Sequence, residues 1–175
     1  MANMSDPRVP LVLAHAQACR EASYERAWPL LSLPHELKDL SGIDLSEAKL
    51  NGANLSGANL TGANLTGTNL SSAYFDSAEL SRANLTRADL SGAALYFSKF
   101  NGADLTGANL TRANFQNADL TDANLTGAML TRANLKGANL VLMTNATNDN
   151  EPRPHVLLHK EKDGKLRIKI TSLVY

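Results

Sequence analysis

Leucine or phenylalanine stands at every position divisible by five from Leu40 to Leu140, twenty-one in succession, with Phe only at Phe75, Phe100 and Phe115. Two residues before each of them the chain has alanine in seventeen of the twenty-one cases, the exceptions being Lys38, Ile43, Thr68 and Ser98. The residue between is mostly Asn or Asp, the one after mostly Ser or Thr, and the next often Gly. An α-helix cannot use this spacing. At about 100° per residue, five steps carry successive leucines around the cylinder and leave no apolar stripe, and Gly and Asn at this density weaken a helix further. A plain strand fails too, because an odd spacing sends successive leucines to opposite faces. What the pattern allows is a chain that turns a corner every five residues. Each Leu and the Ala two before it then point the same way, inward.

The units ANLSG, ANLTG, ADLTG and ANLTR resemble the pentapeptide repeat family, whose motif reads A(D/N)LXX, and the likeness covers residues 38–142. That resemblance implies an all-β solenoid, a right-handed quadrilateral β-helix with four pentapeptides per coil. Here that makes about five coils, stacked at roughly 4.8 Å, the spacing of paired strands. The same residues account for the core. Leucines fill the axis, alanine is small enough for four converging walls, and Gly, Asn and Asp suit corners with unusual backbone angles.

A solenoid ends in exposed core, so the flanks are expected to matter. Residues 1–37 read as a helical cap. The helix is expected over residues 9–28, starting near Pro10, with Leu11, Ala14, His15, Ala18, Cys19 and Ala22 on the face that meets the first coil. Trp28, Leu30, Leu31 and Leu33 would add to the plug. Residues 143–154 are a polar linker. Residues 155–175 read as a β-hairpin around Asp163-Gly164, with Leu166, Ile168 and Ile170 alternating against polar neighbours. A lone hairpin is marginal in water, so it should dock on the last coil, on the patch of Tyr74, Tyr96 and Phe97, or on another subunit.

Charge and chemistry exclude several functions. Basic and acidic residues balance at 17 each, and residues 38–142 carry 8 basic against 9 acidic. No segment has the basic excess of a nucleic-acid binder. The single cysteine, Cys19, forbids an intrachain disulfide and favours a reducing compartment. It reads as a small buried hydrophobe rather than a nucleophile. A cytoplasmic location is the expectation, with export to a periplasm or thylakoid lumen as the alternative suggested by Arg8 and the short apolar run after it. No apolar run is long enough to span a membrane. His155 and His159 share a strand face without acidic or sulfur companions, a poor metal site. No phosphate-binding, metal-hydrolase or nucleophile-elbow motif is present. Neither a catalytic residue nor a cofactor or metal site is expected.

The outer surface carries the remaining information. With twenty residues per coil, Asn59, Glu79, Lys99 and Asp119 stack, and alternate well enough to predict an ion-pair ladder. Gly92, Arg112 and Arg132 stack too, two like charges one coil apart, expected to be held by nearby Asp or to meet an anionic partner. Tyr74 stands where the repeat wants Asn or Asp, and Tyr96 and Phe97 occupy outward slots beside Ala94. Tyr74, Tyr96 and Phe97, with Arg112 and Arg132, form the candidate protein-binding patch, because grouped exposed aromatics mark contact sites; the alternative is that the amino-terminal segment or the carboxyl tail folds back to cover the aromatics. The leading expectation is therefore a non-enzymatic scaffold that binds a protein partner. Two alternatives stand beside it. Some members of the family imitate DNA and bind DNA gyrase, which requires a strongly acidic surface that these residues lack. The chain could also be a structural subunit docked through its hairpin, or a homodimer joined through an end.

Overall fold

The structure is a computed structural model, and it describes residues 2–21 and 34–140 together with the strand backbones 155–160 and 166–171. Helix α1 spans Arg8–Glu21 and a 3-10 turn spans His35–Leu37. From residue 39 onward, every residue that precedes a Leu or Phe is bridged in parallel to its equivalent twenty positions on, from Asp39↔Asn59 to Asp119↔Asn139. A five-residue unit and a twenty-residue repeat make a coil with four sides.

The backbone connections repeat from unit to unit. Around Leu60, its N–H donates to Glu79 O at 2.7 Å, Gly62 N–H donates to Ser81 O at 2.9 Å, and Glu79 N–H donates back to Ala58 O at 2.9 Å. Ala63 N–H closes the corner on Leu60 O at 3.0 Å. The second residue after each Leu sits at the corner with φ near +60°, for example +66° at Gly62. Glycine takes that angle freely, whereas an L-residue there costs about 1–2 kcal/mol. Ten non-glycine residues nevertheless occupy such corners, among them Phe97, Arg112 and Arg132.

The preference for Asn and Asp has a specific cause. Their Oδ1 accepts the backbone N–H two residues on, as Asn59 does for Thr61 at 3.1 Å, which braces the corner. Asn Nδ2 then donates to the carboxamide or carboxylate one coil below, as Asn59 to Asp39 at 3.1 Å and Asn109 to Asp89 at 3.0 Å. Inside, the Leu and Phe line is buried throughout the middle of the coil. Thr68 and Ser98 replace Ala there without leaving an unmet hydroxyl. Thr68 Oγ1 donates to Leu45 O at 2.8 Å and Ser98 Oγ to Leu95 O at 2.7 Å. Phe100 and Phe115 meet edge to face with centroids 5.5 Å apart.

Helix α1 differs from expectation in the face it buries. Val9, Val12 and Ala16 are fully buried and belong to the same apolar cluster as Leu40 and Leu45, whereas Leu11 is 54% exposed and Ala14 and Ala18 are exposed. The two valines and Ala16 form the stripe that packs; the one proposed from Leu11 faces away. Asp6 opens the helix by accepting Arg8 N–H at 2.9 Å, so Pro10 falls within the first turn, where no N–H is needed. Arg8 donates to Asp39 O, Arg20 to Lys49 O, and His15 Nε2 lies 3.0 Å from Asn54 O, which fixes α1 along the first residues of the coil. Cys19 is half-buried rather than enclosed, and its Sγ lies 3.4 Å from His15 Nε2, a neighbour one helical turn away. Ala22, Trp28, Leu30, Leu31 and Leu33, and the linker 143–154, lie outside the described residues.

The strands β1 (His155–Lys160) and β2 (Leu166–Thr171) pair antiparallel, with Val156 opposite Ile170 and Leu158 opposite Ile168. The turn between them is outside the described residues.

Candidate functional site

Two consecutive departures from the repeat, Tyr74 and Ala94, occur on one wall of the coil, the wall whose outward residues are Asn54, Tyr74, Ala94, Asn114 and Asn134. Ala94 is the one outward residue of its kind between Asp39 and Asn139 that has only a methyl group. It can neither brace its corner nor accept from the Asn above. Both losses are compensated. Asn114 Nδ2, with no carboxamide beneath it, donates to Tyr96 Oη, so the Tyr96 side chain reaches across to the residue directly above Ala94 and is itself half-buried. The Tyr96 backbone hydrogen-bonds the Asp76 carboxyl, which stands one coil below at a position usually held by Ser or Thr.

That arrangement leaves Asp76 in an unusual state. Its Oδ1 is inaccessible and has no hydrogen-bond partner. Burial raises its pKa above the usual carboxylate value of 3.8, against the opposing effect of the Tyr96 backbone. Because the folded value exceeds the unfolded one, the contribution of Asp76 to stability is fullest below pH 3.8 and is lost as pH rises through the raised value. The charged form of Asp76 is the less favourable one in the folded coil. Asp76→Asn is therefore expected to melt higher than the parent at pH 7, by up to about 2 °C after allowing for solvent screening. The gap should close toward pH 4. Melting curves across that range check it, and a gap that widens in acid contradicts it.

The aromatic side chains divide by exposure. Tyr74 and Tyr96 are half-buried against the wall, while Phe97 projects from its corner at 60% exposure. Tyr74 is bridged directly to Ala94, so the three aromatics and Ala94 occupy adjacent positions on neighbouring coils. Arg112 and Arg132 stack at the opposite corner of the same wall, both exposed. Neither has a carboxylate partner among the described residues, whose ion pairs are Arg8–Asp6 and Lys99–Glu79. The expectation that nearby Asp residues hold them is thus not met.

The ion-pair ladder is also shorter than its column predicts. Lys99 Nζ lies 3.2 Å from Glu79 Oε2, largely in solvent. Asp119 turns instead to neutral donors, taking Thr121 Oγ1 at 2.6 Å and Asn101 Nδ2 at 2.8 Å. Those hydrogen bonds, Thr121 first, hold its pKa below the ordinary value. Local Asx geometry outcompetes a flexible lysine one coil away.

Among the described residues no group of His, Cys, Asp and Glu is placed to hold a metal ion, and no helix is long and apolar enough to cross a membrane. The Asp76 and Tyr96 arrangement had one sequence signal: Ala94, Asp76 and Tyr96 all break the motif within a span of twenty-one residues. Its meaning required knowing which residues stack.

The fold and this surface define a repeat solenoid whose distinctive residues lie on a wall and not in a cleft. Pentapeptide repeats match in eight copies over residues 39–75, 68–107 and 108–141, more than half of the chain. The chain belongs to the pentapeptide repeat family, whose fold is the right-handed quadrilateral β-helix. Similar solved structures include the pentapeptide repeat protein Rfr23 from the cyanobacterium Cyanothece 51142, 36% identical over 65% of this chain and 70% of that one, with a TM-score of 0.44. A pentapeptide repeat protein of the Arabidopsis thaliana thylakoid lumen is 32% identical over 58% of this chain and 68% of that one, with a TM-score of 0.45. QnrB1, a plasmid-mediated fluoroquinolone resistance protein, is 26% identical over 55% of both chains, with a TM-score of 0.35. The comparison with curated proteins gave no match.

Proposed function

We propose that the protein is a non-enzymatic interaction scaffold, a rigid coil of about five turns that contacts a protein partner through the wall bearing Tyr74, Tyr96 and Phe97, with Arg112 and Arg132 at its far corner. Helix α1 closes the first turn through Val9, Val12 and Ala16. One observation carries the reading: Phe97 is 60% exposed at a corner with φ +55°, where glycine fills the same column at Gly57 and Gly137. Packing does not call for a large apolar residue there, and its backbone angle is unfavourable, so contact with another molecule is the use it fits.

The same geometry supplies a clean variant. Phe97→Gly relieves the backbone strain and leaves the core untouched, so it should fold at least as well as the parent. Together with Tyr74→Ala it is expected to lose the proteins that the parent captures from a lysate of its own organism, while circular dichroism stays unchanged. Identical captured proteins from a folded variant would sink the proposal.

Imitation of DNA, the alternative that the family resemblance implies, finds little support. Residues 38–142 have 8 basic against 9 acidic residues, and exposed arginines interrupt the surface. Docking through the hairpin is a separate proposal that the pairing of β1 with β2 leaves open, and the solution mass of a chain ending at Thr144 tests it.

A further inference from the structure

The near-neutral charge of the coil conceals a segregation by wall. The aromatic wall and its two flanking corners comprise residues 52–57, 72–77, 92–97, 112–117 and 132–137, since each set stacks twenty residues above the last. These blocks contain the basic residues Arg112, Arg132 and Lys136 and a single acid, Asp76. The remainder of residues 38–140 holds five basic against eight acidic residues. The side that carries the aromatics is therefore net cationic and the rest of the coil, taken together, net anionic, although the wall that shares the Arg112–Arg132 corner also carries Lys49 and Arg87 against Glu47 and Asp89.

The distribution along that wall is equally uneven. Asp76 is in the lower part, turned inward with its Oδ1 inaccessible. Arg112, one coil of the wall above Phe97 and Tyr96, and Arg132 and Lys136, two coils above, are all exposed, and no side-chain carboxylate shares those two levels of it. Neither arginine is paired within the described residues. Arg112 and Arg132 also occupy corner positions with φ +61°, in a column where Gly52 and Gly92 take the same turn without strain. Two stacked like charges repel, so the placing of Arg132 over Arg112 is not explained by the stability of the coil.

Resting on the reading of this wall as a protein contact, we infer that its partner presents an acidic segment with an apolar anchor. The anchor is a large aromatic or aliphatic side chain that packs on Phe97 and Tyr96, and the flanking carboxylates lie along Arg112, Arg132 and Lys136. Guanidinium forks pair well with carboxylates. The wall beyond Phe97 is net anionic, with Asp39, Glu79, Asp119 and Asp122 against Lys38, Arg82 and Lys99, and so confines an acidic segment to the aromatic wall and its Arg112–Arg132 corner. Charge then sets the orientation and the encounter rate, and the aromatic contact sets most of the affinity.

A library of random dodecapeptides displayed on phage, selected on the full chain at low salt, tests this without knowledge of the natural partner. Enriched peptides are expected to carry an excess of Asp and Glu around one large apolar residue. A labelled synthetic copy should bind at least tenfold more weakly to the Arg112→Gly, Arg132→Gly double variant, whose corners adopt a residue already present in that column, and to Phe97→Gly. Its affinity should also fall as salt rises. Enrichment of neutral or basic peptides, no enrichment, or tighter binding of an oligothymidylate than of the selected peptide would each overturn the inference. The two readings fail separately. Loss of captured proteins with Tyr74→Ala and Phe97→Gly but not with the arginine variant retains the contact wall and rejects the acidic partner.

Discussion

Leu85→Lys should leave the chain without a folded coil at 25 °C. Leu85 is fully buried in the middle of the tower, with Leu65 and Leu105 one coil below and above on the same wall. The substitution removes about 1.5–3 kcal/mol of apolar burial and places an ammonium where the neighbouring residues are Leu and Ala. An unpaired buried charge costs several kcal/mol more. Long side chains at a surface can extend their charge into water, but here the coil encloses the axis on four sides. The sum is comparable with the whole stability of a domain this size, about 5–15 kcal/mol. Because each coil hydrogen-bonds to its neighbours, the damage does not stay local. Far-ultraviolet circular dichroism should lose the β signature, whereas Leu85→Met, of similar volume, should keep it and cost less than about 1.5 kcal/mol. A native spectrum for the lysine variant would mean that the axis is not enclosed.

Phe75→Ala and Phe115→Ala should come next in severity, and in that order. Removing a buried phenylalanine costs about 3–5 kcal/mol, the spread depending on how far the site collapses. Phe75 has fully buried Leu55 and Leu95 below and above it, so its cavity is held open by a rigid wall. Phe115 has Leu95 below, but Leu135 above is only partly buried, and the last turns can settle into the space. The loss at Phe115 includes its edge-to-face contact with Phe100, worth about 0.5–1.5 kcal/mol. Urea denaturation of both variants checks the ranking. A double-mutant cycle between Phe100→Leu and Phe115→Leu isolates the ring contact, and a coupling near zero would show that the two rings only fill volume.

These sites also show where sequence reasoning works and where it stops. Twenty-one apolar residues at one fixed interval admit a single kind of backbone, so the axis, the small Ala positions and the glycine corners could all be read in advance. The pattern does so because it is redundant: each unit repeats the same steric demand. Helix α1 offered no such redundancy. Fourteen residues with apolar side chains on every side gave no single stripe, and the choice among Val9, Val12 and Leu11 was made by the shape of the first coil. The ladder through Glu79, Lys99 and Asp119 stops at the Glu79–Lys99 pair for a related reason. Column membership brings charges within range, but hydrogen bonds two residues away are nearer and more rigid.

The wall of Tyr74, Ala94 and Tyr96 lies between these cases. Each departure was visible in the chain as a broken motif, and the period of twenty was enough to say that they are neighbours. That Tyr96 reaches over Ala94 to Asn114, that Asp76 turns its carboxyl inward, and that Arg112 and Arg132 stand unpaired are consequences of side-chain competition across coils. Periodicity governs the backbone because every unit makes the same demand. The surface depends on single residues whose partners are twenty positions away, and only the stacked structure brings those partners together.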